Sequence, residues 1–171
     1  MLPGLHRHLF RETIILDLDS RLDFPEEDEE LTAKRRWGLK VQVLETLVGA
    51  LAATGKIVNP SKCLKDMVHR ESKATTAFGE GFAMPHVRTL QARDFLVGVL
   101  RSRRGVNFDS LDGAPVRLFV GVLCPPYEDR LYLRFLAALA RAVQREKLVE
   151  RALAVRDEVE LLGLFCRMET G

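Results

Sequence analysis

The sequence has no apolar run long enough to cross a bilayer. Its longest, Phe95 to Leu100 and Leu118 to Cys124, are strand-length and far short of the roughly 20 residues a spanning helix needs. No insertion into a membrane is expected. Charge of either sign is scarcely in excess: 26 basic against 24 acidic residues leave +2, too little to draw the chain toward nucleic acid or an anionic surface. The one short basic cluster, Arg101, Arg103 and Arg104, has no interleaved aromatics and is expected to decorate a turn. Around a short apolar patch the N-terminus carries Arg7, Arg11 and Glu12, without the h-region and cleavage site of a secretory leader, so the expected location is the cytoplasm. The three cysteines, Cys63, Cys124 and Cys166, form no CxxC pair and no Cys/His cluster, which excludes a zinc knuckle and a disulfide framework; buried thiols are expected. HxH and HExxH spacings are missing too, so no metal site and no metal-dependent hydrolysis is indicated. Internal repeats and low-complexity segments are absent.

What is present fits one globular domain over residues 1–171, with 47% apolar residues to build a core. Ile14 to Leu18 reads as a first strand. Asp23 to Arg36, with Pro25, the acids Glu26 to Glu30 and then Lys34-Arg35-Arg36, is too charged to pack, and residues 19–38 are expected to form a surface insertion. Val41, Leu44, Leu47, Val48 and Leu51 recur at three and four, predicting a helix over Leu39 to Thr54 that Gly55 ends. Asn59 and Pro60 open a second helix with Cys63, Leu64, Met67 and Val68 inward. A glycine-punctuated run of β character follows from Thr75 to His86. Phe95 to Leu100 and Val116 to Leu123 read as core strands, with Gly105, Asp109, Asp112 and Gly113 at turns between them. Their mostly apolar character suits a sheet covered on both faces. Past Pro125-Pro126 comes a helix with Leu133, Leu136, Leu139, Ala140 and Val143 on one side, then shorter helices at Lys147 to Ala154 and Glu158 to Met168. The fold class is α/β, or α+β.

Of the four histidines, His6 and His8 sit near the N-terminus and His69 lies in a helix, whereas His86 follows Pro85 directly after the glycine-rich run. Proline denies the helix to Met84, so a strand must end there and present the imidazole at the sheet edge. Gly79 and Gly81 allow close approach of another surface, or of phosphate oxygens, to the backbone. A mostly neutral imidazole can attack phosphorus with one nitrogen while the other holds a proton. Phosphoryl transfer further needs donors for the equatorial oxygens, and the local candidates are Arg70, Thr75, Thr76 and Arg88. Taken singly these features have ordinary readings: an unexceptional histidine, a solvated helix end at Arg70-Glu71, plain turn glycines.

Together, Arg70-Glu71, Thr76, Gly79, Gly81, Ala83 and Pro85-His86, continued by Gly105-Val106-Asn107-Phe108-Asp109, Asp112-Gly113-Ala114-Pro115-Val116 and Leu136-Ala137-Ala138-Leu139-Ala140, resemble the enzyme IIA domains of the fructose, mannitol and nitrogen-regulatory branch of the bacterial phosphotransferase system. The resemblance covers about residues 40 to 165, with Ile14 to Leu18 as the family's first strand. It implies a mixed, roughly five-stranded sheet flanked by helices on both faces. It also implies that His86 accepts a phosphoryl group from the phosphohistidine of an HPr-like carrier and passes it to an enzyme IIB domain, that Arg70 steadies the group, and that no cofactor is needed. Regulatory target proteins and a homodimer are further partners it leaves open.

The sequence departs from the family in three places. Many members carry a second histidine at the start of the helix ending in Leu-Ala-x-Leu-Ala, where this chain has Tyr132, a donor that cannot become a cation near neutral pH. The residue after the histidine, often small, is Val87. The acidic segment from Asp23 to Glu30 has no counterpart in the family and reads as a solvated loop, or else as a docking or dimer-forming arm. Two functions therefore stand: a phosphocarrier of nitrogen-regulatory type, or a binding and regulatory module that docks partners without efficient transfer.

Overall fold

The computed structural model of the protein describes residues 7–26 and 29–169. His6, Glu27 and Asp28 lie outside them. In chain order the elements are β1 (Leu9–Ile15), a single 3-10 turn (Asp19–Arg21), α1 (Ala33–Ala52), α2 (Pro60–Lys73), β2 (Ala77–Gly79), β3 (Phe82–Ala83), β4 (His86–Arg88), β5 (Leu96–Val106), β6 (Val116–Cys124), α3 (Asp129–Glu146), α4 (Leu148–Ala154) and α5 (Glu158–Glu169).

One mixed sheet runs in the order β1-β5-β6-β3-β2, with β4 also on β6. Pairings β1·β5, β3·β6 and β4·β6 are parallel; β5·β6 and β2·β3 are antiparallel. β3 and β4 meet successive stretches of β6, Phe82 opposite Leu118 and His86 opposite Val122. They are one lane of the sheet broken at Met84-Pro85, because a proline has no N–H to give the ladder. That break makes six strands where five lanes exist.

Alternation along the central strands splits the core in two. Val97 and Val99 of β5, with Leu118, Val120 and Val122 of β6, pack under α3, α4 and α5 around Phe135 and Phe165. Leu96, Leu100, Phe119 and Leu123 point the other way, to α1 and α2 and to Leu44, Leu47 and Leu51. The result is a three-layer α/β fold. On the α1 face two glycines stand opposite each other, Gly98 on β5 and Gly121 on β6. A Cβ at Gly98 would lie 2.9 Å from the Leu47 side chain, and one at Gly121 would collide with it. The pair forms the notch that lets α1 sit close on the sheet.

Several sequence expectations are corrected. The first strand is Leu9–Ile15, not Ile14 to Leu18; Leu18 lies past its end, with its N–H on the Arg101 carbonyl at 3.0 Å. The segment 19–38 is no simple insertion: Thr32 caps a helix that begins at Ala33, its hydroxyl accepting from the Arg35 N–H at 3.2 Å, so residues 33–38, with Lys34, Arg35 and Arg36, form the first turns of α1. Arg101, Arg103 and Arg104 lie within β5 rather than on a turn. Arg101 is buried and donates to the Leu16 carbonyl after β1 and to the Ala152 and Val155 carbonyls, capping the end of α4. In α3 the inward stripe is Tyr132, Phe135, Ala138, Leu139, Ala142 and Val143, and Leu133 is 63% exposed. Both stripes satisfy helical spacing, and the one bearing two rings buries more apolar area. Cys63 and Cys124 are buried free thiols and Cys166 is half-buried. Burial pushes Cys63 up to about 12 and Cys124 up to about 11, so neither is reactive.

The notch predicts a stability effect. Gly121→Ala should cost about 1–3 kcal/mol of unfolding free energy through overpacking against Leu47. Gly121→Ala/Leu47→Ala should cost less than the sum of the two single changes, measured by denaturant unfolding; strict additivity would show that the contact carries no such constraint.

Candidate functional site

His86 opens β4 immediately after the broken lane, and its ring is half-buried. Pro85 is held by β6, its carbonyl accepting from the Val122 N–H at 2.9 Å, so the strand resumes in register right at the histidine. Val87 packs into the α1–α2 core. His86 and Arg88 therefore share the opposite face, and both meet Tyr132 of α3: the two rings are 5.8 Å apart, and the Arg88 guanidinium is 5.8 Å from the phenol ring.

Both ring nitrogens of His86 are engaged. Nδ1 is 2.7 Å from the Met84 carbonyl oxygen, and Nε2 is 3.2 Å from Nη2 of Arg70, which reaches over from the last turn of α2. A carbonyl can only accept and a guanidinium can only donate. The proton must then sit on Nδ1, leaving the Nε2 lone pair directed at Arg70. Burial lowers the pKa of His86 below 6.5, and the Arg70 charge lowers it further against the opposing pull of the Met84 carbonyl and Glu71. A neutral ring with a fixed tautomer and its lone pair on Nε2, once Arg70 gives way, has the form of a nucleophile. Arg70 is itself steadied by a 3.0 Å bond from Nη1 to the Ala74 carbonyl.

The remaining residues singled out from the sequence fall in three groups. Tyr132 and Arg88 stand beside the ring; burial pushes the Tyr132 hydroxyl up, so it stays a donor, and Arg88 forms an ion pair with Asp129. Thr75 and Thr76 begin the approach to β2, with their hydroxyls committed elsewhere: Thr75 donates to the Phe108 carbonyl at 2.9 Å, and Thr76, buried, donates to Glu71 at 2.6 Å. Gly79 and Gly81 form the turn between β2 and β3 at positive φ, 119° and 72°. The space beside Gly79 is filled by the Asp112 carboxylate, which accepts from the Glu80 N–H at 2.9 Å.

Sequence reasoning passed over Lys40, Asp129 and the Met84 carbonyl, and took Glu71 only as part of a motif. The Lys40 ammonium and Glu71 carboxylate are 3% and 1% exposed and 2.9 Å apart. Lys40 lies on the buried face of α1, where a helical periodicity search counts it as an interruption of the apolar stripe. A backbone carbonyl leaves no mark in a sequence. Among the described residues no group of three or more His, Cys, Asp or Glu could hold a metal ion.

A family profile described as "Phosphoenolpyruvate-dependent sugar phosphotransferase system, EIIA 2" matches residues 27–167. A "Nitrogen regulatory protein" of Pseudomonas aeruginosa is 32% identical over 134 residues, covering 78% of this chain and 87% of the relative. The "PTS system fructose-specific EIIA component" of Haloferax volcanii is 30% identical over 119 residues, 70% and 77% of the two chains. Against the much longer fructose-specific EIIABC component of Bacillus subtilis, 27% identical over 126 residues, the chain spans 20% of the relative's length. In fold it is similar to nitrogen regulatory protein IIA-Ntr of Neisseria meningitidis (TM-score 0.76, 21% identity, 94% and 97% of the two chains). It is also similar to the mannitol enzyme IIA of Escherichia coli in its complex with phosphorylated enzyme IIB (TM-score 0.69, 21% identity, 93% and 97%). With residues 27–167 of 171 matched by one family profile and its fold shared with enzyme IIA structures, the chain belongs to the EIIA 2 family of the phosphotransferase system.

Proposed function

We propose that this protein is a phosphocarrier: Nε2 of His86 takes a phosphoryl group from the phosphohistidine of an HPr-like carrier and passes it to an enzyme IIB domain or uses it to signal. The observation that carries this reading is the pair of contacts fixing the ring, Met84 carbonyl on Nδ1 and Arg70 on Nε2. The Nε2 lone pair forms the new N–P bond as the donor's N–P bond breaks and its electron pair returns to the donor imidazole. The proton stays on Nδ1, where the Met84 carbonyl meets the positive charge that develops on the ring. Arg70 then trades Nε2 for a phosphoryl oxygen, a charge-assisted contact on a group carrying nearly two negative charges.

Arg88, two residues along the same strand face, is the second cation within the site, placed against the Tyr132 ring by Asp129. It supplies the positive charge that a histidine at position 132 would otherwise bring. Thr75 and Thr76 serve by holding the loop that supports the site. A cleft of about 390 Å³ beside β4, lined by Lys62, Asp66, His69, Arg88 and Leu90 among others, and the exposed Leu90 and Tyr127 offer the partner a contact surface. The similarity to a IIA chain solved with phosphorylated IIB supports a protein acceptor. The nitrogen regulatory relative of Pseudomonas aeruginosa supports a regulatory output. No helix among the described residues is long and apolar enough to cross a membrane; a cytoplasmic location is proposed together with the carrier role, on the family match.

A second reading, a docking module that turns over little phosphate, is favoured by one observation: the ring against His86 is that of Tyr132, which cannot become a cation near neutral pH. The two readings are separated by incubating the protein with phosphorylated HPr-like carrier. The phosphocarrier reading expects an acid-labile, alkali-stable phosphate that His86→Ala abolishes; no label on the parent protein, or undiminished label on the variant, would contradict it. The pH profile is a further test. Because burial and then Arg70 lower the pKa of His86, the ring is neutral at pH 7, and transfer should fall only as pH drops through a value below 6.5. Arg70→Gln removes one lowering cause, so the acid limb should move upward while the maximal rate falls by about 10²-fold.

A further inference from the structure

The hydrogen bonds around His86 close a circuit. From Nδ1 the path runs to the Met84 carbonyl (2.7 Å), and the Met84 N–H donates to the Thr76 carbonyl (2.9 Å). Thr76 gives both its N–H and its hydroxyl to the two carboxylate oxygens of Glu71, at 3.1 and 2.6 Å. Glu71 is joined by a peptide bond to Arg70, whose guanidinium returns to Nε2 (3.2 Å). One charge outside the ring pins it: the Lys40 ammonium, 2.9 Å from Glu71 and 3.2 Å from Asp109, seated 4.7 Å from the centre of the Phe108 ring.

We propose that Lys40 is a positioning residue for phosphoryl transfer. Through Glu71, Thr76 and Met84 it holds His86 as the Nδ1–H tautomer with Nε2 aimed at the incoming phosphorus. Its effect on rate rests on the phosphocarrier reading, whereas its effect on the tautomer does not.

Three observations support a role beyond packing. A buried ion pair is a poor route to stability, since apolar residues of the same volume serve as well or better. Both oxygens of Glu71 accept from Thr76, one of them shared with Lys40, so the direction of that carboxylate sets where the Thr76 backbone lies. Lys40 also joins the pieces that meet at this point: α1 by its own backbone, α2 by Glu71, and the loop after β5 by Asp109, whose neighbour Phe108 accepts the Thr75 hydroxyl. Releasing Lys40 frees the one carboxylate on which the Thr76-to-Met84 contact is registered, and the histidine then has no fixed acceptor for Nδ1–H.

The test compares Lys40→Met, Lys40→Arg and Lys40→Met/Glu71→Gln, the last leaving no unpaired buried charge and so guarding against failure to fold. The first measurement is the ¹⁵N spectrum of the His86 ring, which needs no phosphoryl donor. The second is transfer from the phosphorylated HPr-like carrier. The parent and Lys40→Arg should show one Nδ1–H tautomer and similar rates. In both variants that carry Lys40→Met the tautomers should mix, and the transfer rate constant should fall by about ten- to a hundred-fold with KM for the carrier unchanged. A single Nδ1–H tautomer in folded Lys40→Met/Glu71→Gln, or loss of folding in both variants that carry Lys40→Met, overturns the proposal in favour of a purely structural pair. Mixed tautomers with no transfer by the parent protein would uphold the positioning while sinking the phosphocarrier reading.

Discussion

A histidine ring held between a group that can only accept and a group that can only donate has no choice of tautomer. At His86 the acceptor is the Met84 carbonyl and the donor is the Arg70 guanidinium, and the two together favour the same proton placement. Such agreement matters because the free energy separating imidazole tautomers in water is small, and a nucleophile that spends time in the wrong one loses rate in proportion. Burial adds to this by keeping the ring neutral. Everything else in the site follows from holding those two partners still.

The fold does this with rigid parts. Pro85 interrupts one lane of the sheet: β3 ends at Ala83 and β4 starts at His86, both registered on β6, with Met84 in the gap and its N–H on the Thr76 carbonyl. The Met84 carbonyl is thereby aimed at the side chain two positions on. Arg70 comes from the opposite layer, at the end of a helix whose inner face is Cys63, Met67 and Glu71. The helix layer rests on a sheet thinned at Gly98 and Gly121, where Leu47 of α1 fills the space. Buried polar groups join these layers near the site, among them Lys40, Glu71 and Thr76, with Thr89 bonded to Asp66 on its other side.

Much of this could be read in the sequence. The proline before His86, the Asn59-Pro60 helix start and the apolar runs of β5 and β6 are local signals, and local chemistry decides them. The boundaries that shifted were decided by distant contacts. Leu9–Ile15 is a strand because β5 pairs with it. Residues 33–38 are helical because Thr32 caps them and α1 continues beyond, although their charge alone suggests a loop. Arg101 looked like a turn residue because nothing nearby in sequence announces the carbonyls of Ala152 and Val155 waiting for it. For the site, the types Arg70, His86 and Tyr132 were visible, whereas the Thr76 hydroxyl, legible only as a phosphate donor, is turned to Glu71 by the fold. Lys40 was hidden because a buried lysine in an amphipathic helix is indistinguishable from an exposed one until its partners are in place.

The central claim is that Nε2 of His86, and no other nitrogen, carries the phosphoryl group. It is tested most directly on protein labelled with ¹⁵N in its histidine rings and phosphorylated by the carrier, by recording ³¹P–¹⁵N coupling. The account predicts coupling to Nε2 of His86 alone, with Nδ1 still protonated. Coupling to Nδ1, or to the ring of His8 or His69, would contradict it.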